Sequence, residues 1–177
     1  MNLKRIYEFL FKEESIPSYV AFFALSFIAL KFIIYPGFLI LMGWKDIVAV
    51  LSPSMEHGNG VEYTYYRWFS ERNMSVEDFP FPNGLNVGDA VIVVPTHDIE
   101  VGDVIVFYPR GLSYSLVHRV VKVDCEEECY YTTKGDANSE ILPIEKNITQ
   151  EQIVGKAVFR IPLLGLPRTL MFYLLGI

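Results

Sequence analysis

A mostly β domain carried on one N-terminal membrane-spanning helix is the fold class the sequence predicts, and three observations predict it. The run Ile16 to Tyr35 is predominantly apolar, with Lys31 its one charge. Two similar units, Val87-Gly88-Asp89-Ala90-Val91-Ile92-Val93-Val94 and Val101-Gly102-Asp103-Val104-Ile105-Val106-Phe107, each open a β-branched run at a Gly-Asp turn. Beyond residue 44 no long amphipathic helical pattern is visible. The chain has 177 residues, 51% of them apolar and 15% aromatic, which suffices for one domain of ordinary core size plus a membrane segment.

From the N-terminus, residues 1–15 carry Lys4, Arg5 and Lys12, and the positive-inside bias places them in the cytoplasm. Lys45, just past the apolar run, weighs weakly the other way. The stretch IPSYVAFFALSFIALKFIIY matches a hydrocarbon core of roughly 30 Å at about 1.5 Å per residue. Lys31 lies near its end and can snorkel to the interface. Pro36-Gly37 stops or kinks the helix, and the apolar run resumes as Phe38 to Trp44, giving an anchor over 16–44. A cleavable signal peptide would have an apolar core of about 7 to 15 residues followed by a small-residue cleavage site. This run is longer and lacks such a site, so an uncleaved single-pass anchor in the cell membrane or the endoplasmic reticulum is expected, with residues 45–161 as an extracytoplasmic domain.

That domain begins with the short strand Val48 to Val50 running into Ser52-Pro53-Ser54-Met55. A strand exit stiffened by proline holds a serine at the end of a rigid element, as a nucleophile requires. Residues 59–85 mix aromatic and charged side chains without a clean period and form an excursion, which either rests on the membrane through Tyr63, Tyr65, Tyr66 and Trp68 or covers a sheet edge. The fourteen-residue offset of the two Gly-Asp units suggests adjacent strands. Leu116 to Val123 and Cys129 to Lys134 read as a hairpin, and Ile153 to Ile161 as a further strand, together a compact sheet or partly closed barrel. The two cysteines, Cys125 and Cys129, face each other across the hairpin end and are expected to close a disulfide, as suits an exported domain. Metal binding is the alternative, but no second ligand pair lies nearby. The apolar C-terminal segment 162–177 is broken by Pro167 and Arg168; its last run is too short to cross a bilayer and suits the interface.

Of the three histidines, His118 lies inside a strand, where packing fixes its ring, so it is the candidate general base for Ser54. His97 sits in a polar turn and reads as solvated, and His57 is close to Ser54 in sequence but poorly placed as a base. A histidine base needs a group to hold its tautomer, and Asp136, which ends the strand paired with that of His118, is the expected one. Lysine and arginine number 15 against 21 aspartates and glutamates and are scattered, which excludes the basic stripe of a nucleic-acid binder.

Five segments in order, Ser52-Pro53-Ser54-Met55-Glu56 after a membrane helix, Gly102-Asp103-Val104-Ile105-Val106-Phe107, His118-Arg119-Val120-Val121, Thr133-Lys134-Gly135-Asp136-Ala137-Asn138, and Ile153-Val154-Gly155-Lys156-Ala157 with Ile161-Pro162-Leu163-Leu164-Gly165, resemble type I signal peptidases. The resemblance covers nearly the whole chain from residue 46 onward. It implies a signal-peptidase-like β domain and a membrane-bound serine endopeptidase that removes signal peptides from exported preproteins, cutting after small residues at positions −1 and −3. Ser54 matches the family's nucleophile, and Ser52 matches the upstream serine whose hydroxyl joins the Ser54 N–H in an oxyanion hole. Histidine at position 118, where bacterial relatives carry lysine, resembles the archaeal and endoplasmic-reticulum kind. Two positions depart from the family: its second aspartate is Leu142 here, with Glu140 and Glu145 the nearest carboxylates, and the residue after Ser-Met-Glu, commonly proline, is His57. Asp136 is the expected orienting acid and Glu140 a possible secondary one. No metal or organic cofactor is called for, and the implied partners are signal peptides and the bilayer.

Two competing readings stand beside this one. A Ser-Lys dyad would use Lys122 or Lys134 as base. A non-catalytic membrane-tethered β module would bind peptides or partner subunits instead of cutting.

Overall fold

Pro36 does not end the N-terminal helix. The structure, a computed structural model, describes residues 3–176, so Met1, Asn2 and Ile177 at the outer ends of the segments 1–15 and 162–177 lie outside it. Two units divide the chain, Met1–Gly43 and Trp44–Ile177. In the first, helix α1 (Leu3–Phe11) precedes helix α2 (Ile16–Met42), which Ser15 caps by accepting the Ser18 N–H. Helix α2 has 27 residues and a mean hydropathy of 2.1, long and apolar enough to cross a membrane. Its turn Leu30–Ile34 is widened to π-type hydrogen bonding. A proline ring clashes with the carbonyl four residues back, and a wide turn just upstream relieves that clash, so the helix continues. It stops at Gly43, whose φ of 68° is the left-handed conformation that glycine adopts without strain.

The second unit is a curled seven-stranded antiparallel sheet. Its strands are β1 (Asp46–Ala49), β2 (Ala90–Val94), β3 (Val104–Phe107), β4 (Leu116–Cys125), β5 (Cys129–Lys134), β6 (Ile148–Thr149) and β7 (Ile153–Ile161), in spatial order β1-β2-β7-β3-β4-β5-β6. The expectation of a mostly β chain holds in part: strand makes up about 24% of the chain and helix about 37%. The anchor helix, α1, and the C-terminal helix Leu166–Leu175 account for most of the difference.

The two Gly-Asp units do form strands, but they are not neighbours, because β7 lies between them and pairs antiparallel with both. Strands β2 and β3 therefore run parallel, and residues 95–103 carry the chain past the width of β7 to join them. The hairpin of β4 and β5 is as expected, and Cys125 and Cys129 are joined at its end by a disulfide.

The core has three parts. Val50, Met55, Leu85, Val91, Val93 and Val106 are among the residues that pack under the serine loop. Ile99, Ile105, Phe107, Val120, Tyr131 and Ile148 fill the second. The third belongs to the excursion 59–85, where Tyr65 and Phe69 pack with Val121 of β4. Since β4 is an interior strand, the excursion covers a face of the sheet rather than an edge. Tyr65 and Phe69 are buried there, while Tyr63 and Tyr66 are exposed.

Candidate active site

Strand β1 delivers the chain to Ser52–Glu56, and that loop is pinned along its length. The Val50 N–H donates to the Asp89 carbonyl at 2.8 Å and the Gly88 N–H to the Val50 carbonyl at 3.0 Å. Pro53–Met55 forms one tight helical turn, in which proline's fixed φ suits the first position, and buried Met55 anchors it in the core. Beyond it, the Leu85 N–H donates to the Met55 carbonyl and the Ala137 N–H to the Ser54 carbonyl, at 2.8 and 2.9 Å. From the other side, helix Leu166–Leu175 sends the Thr169 hydroxyl to the Val50 carbonyl and the Tyr173 hydroxyl to the Leu51 carbonyl.

On this loop the Ser54 hydroxyl lies 2.8 Å from His118 Nε2 and 3.0 Å from the Ser52 hydroxyl. His118 is 3% exposed, and its Nδ1 lies 2.5 Å from Glu145 Oε1. With the proton on Nδ1, the ring donates to Glu145 and Nε2 accepts from Ser54, the arrangement a serine nucleophile and its base require. Glu145 is itself held: its Oε2 accepts the Leu142 N–H at 2.7 Å, closing the turn Pro143–Glu145, and the side chain is fully buried.

Asp136 does not orient His118, contrary to expectation. Its two oxygens take the Arg119 guanidinium, Nε at 2.9 Å and Nη2 at 2.8 Å, and Oδ2 also takes the His57 Nε2–H at 2.9 Å. Successive side chains of a strand point to opposite faces, so His118 and Arg119 project to opposite sides of β4. Asp136 lies on the Arg119 side; Glu145 reaches the His118 side. Glu140 is exposed and is not the carboxylate at His118. Burial alone would raise the pKa of Asp136, but the hydrogen bonds from His57 and Arg119, with the charge of Arg119, outweigh it and hold the carboxyl below its usual range. Arg119 completes its bonding on the carbonyls of Gly102 and Pro80, both at 2.8 Å.

The other candidates are placed as follows. His97 is exposed. His57, in contact with Asp136 and 4.6 Å from the Tyr65 ring centroid, is half-buried, and its Nδ1 has no hydrogen-bond partner among the described residues. Lys122 is exposed and paired with Asp124 at 2.5 Å, and the bulge between Val120 and Lys122 breaks the register that would have aligned it with His118. Lys134 is buried and donates to three backbone carbonyls.

No group of three or more His, Cys, Asp or Glu side chains suited to a metal ion occurs among the described residues. The signal toward Glu145 in the sequence is positional: it is one of two carboxylates near the place where the signal peptidases that the sequence resembles carry a second aspartate. What the sequence did not carry is the turn that brings it inward, since Leu142-Pro143-Ile144-Glu145 carries no strand or helix period. No protein-family model and no curated protein matches the chain.

Proposed function

We propose that the chain is a membrane-anchored serine endopeptidase that removes signal peptides from exported preproteins, with Ser54 as nucleophile, His118 as general base and Glu145 as the acid that orients it. The observation that carries the proposal is the continuous line Ser54 Oγ, His118 Nε2, His118 Nδ1, Glu145 Oε1, its links 2.8 and 2.5 Å long, set on a loop pinned at both ends. The resemblance in five ordered segments supplies the substrate class.

In this mechanism the Ser54 oxygen attacks the carbonyl carbon of the scissile peptide while its proton passes to His118 Nε2. Glu145 stabilises the imidazolium, which then protonates the leaving amine as the C–N bond breaks. A water, deprotonated by the same ring, releases the acyl group from Ser54. The Ser54 N–H and the Ser52 hydroxyl would receive the oxyanion, and loss of one such donor costs about 3 to 4 kcal/mol in the transition state. Strand β1 ends the sheet, with no strand on its outer side among the described residues, so an extended substrate can add there and present alternate side chains toward the site. The helix Ile16–Met42 would hold this chemistry at the bilayer, with residues 45–161 outside the cytoplasm, and the exposed apolar residues of Leu166–Leu175 suit the interface.

Cleavage of a preprotein by the full chain in lipid, compared with Ser54→Ala and His118→Ala, tests the proposal. Both variants are expected to lose cleavage. A native chain that cuts no faster than Ser54→Ala would leave the non-catalytic module as the better reading, and loss confined to Lys122→Ala or Lys134→Ala would favour the dyad.

A further inference from the structure

We propose that Lys134 is a positioning residue, one that clamps the excursion 59–85 to the turn Gly135–Asn138 and through that turn fixes the backbone of Ser54; the inference rests on Ser54 being the nucleophile. Lys134 is 1% exposed, so its ammonium has to be satisfied inside the protein. Its Nζ donates to the carbonyls of Thr64 at 2.6 Å, Asn138 at 2.8 Å and Gly135 at 3.0 Å. An ammonium has three N–H groups and no lone pair, and these three acceptors use all its donors, which leaves none to turn toward the serine. Two acceptors belong to the turn and the third to the excursion, so the lysine joins them.

The other side of the turn bears on the nucleophile. The Ala137 N–H donates to the Ser54 carbonyl at 2.9 Å, and Gly135 approaches so closely that a Cβ there would lie 2.7 Å from that same oxygen. A shift of the turn is therefore a shift of Ser54, and a misplacement of about 1 Å at a reacting group costs on the order of 100-fold in rate.

The charges facing the ammonium are Asp136 and Glu145, which favour it, and Arg119 and Arg72, which oppose it; the Trp68 ring lies 5.4 Å away. Burial dominates and brings the lysine down to about 8. A neutral amine has two N–H groups for three carbonyls and loses its attraction to both carboxylates. The clamp is thus expected to slacken as pH rises through that value.

The test uses the full chain in lipid, with Lys134→Met, which keeps the length and removes the donors. At pH 7 its kcat is expected to be about 10- to 100-fold lower with KM within about twofold. The native chain is expected to lose kcat above about pH 8, and the variant to lack that decline. An unchanged kcat, a decline that persists in the variant, or a folded variant inactive at every pH would overturn the proposal, the last by making Lys134 part of proton transfer. Protection of the Ala137 amide against hydrogen exchange, measured in the native chain at pH 7 and 9, needs neither activity nor a folded variant. It is expected to fall about tenfold, and equal protection would overturn the clamp. If the native chain cleaves no better than Ser54→Ala, the peptidase reading fails, and amide protection still decides the role of Lys134.

Discussion

Glu145 Oε1 lies 2.5 Å from His118 Nδ1, while Arg119, the next residue on the same strand, takes Asp136 on the opposite face. The two carboxylates near β4 thus have separate tasks, and substitution separates them. Glu145→Gln presents an amide to Nδ1 and favours the tautomer protonated on Nε2, which cannot accept the Ser54 proton. A loss of around 10⁴-fold in kcat is expected, as in the serine-protease template. Single-turnover cleavage at matched folding checks it, and a larger loss in Asp136→Asn would mean that Glu145 is not the orienting acid.

Asp136→Asn is expected to act on stability first. Arg119 is fully buried, and removing the charge of its bidentate partner leaves a guanidinium uncompensated, which costs about 3 to 5 kcal/mol. The folded-state pKa of Asp136 lies below the ordinary 3.8, so its contribution is complete above that value and is lost as pH falls through the lower folded one. Denaturant unfolding of native and variant chains is expected to give a gap that is constant from about pH 5 to 8 and closes below about pH 4. A gap that opens on acidification would contradict the assignment.

What was legible in the sequence was whatever has a period or a fixed spacing. Ser54 and His118 meet as read, because each sits on or beside a strand whose β-branched run is plain, and the cysteines pair because a hairpin places them face to face. Asp136 was misread because sequence proximity to the partner strand does not say which face of β4 it meets. Strand order was also hidden, since β7 enters between β2 and β3 from far along the chain. The excursion 59–85 carries no period because its buried side chains pack partly on Val121 of the sheet and partly around two cations, Arg119 and Lys134.

Tyr65→Phe is expected to be neutral or to stabilise by about 1 kcal/mol, because the buried Tyr65 hydroxyl has no hydrogen-bond partner among the described residues. Burial pushes this phenol from 10.0 up to about 12. The folded chain therefore keeps a proton that the unfolded chain releases in that range, and stability falls as pH rises through it. Unfolding measured from pH 9 to 12 is expected to show a shallower fall for the variant; equal slopes would show that the phenol titrates alike in the folded and unfolded chain and is not raised by burial.

The disulfide is expected to be dispensable for catalysis and modest for stability. Cys125 and Cys129 lie 4 positions apart in sequence, and closing so short a loop removes little freedom from the unfolded chain, about 2 kcal/mol on the chain-entropy scale. The pairs Asp124 with Tyr130 and Val123 with Tyr131 already fix the hairpin register without it. Along β4, Cys125 is seven residues from His118, or roughly 23 Å at 3.3 Å per residue, so fraying at the hairpin end does not reach the ring. The double variant Cys125→Ser with Cys129→Ser is expected to unfold a few degrees earlier and to keep kcat within about twofold. Loss of cleavage in a folded double variant would show that the hairpin end takes part in binding the substrate.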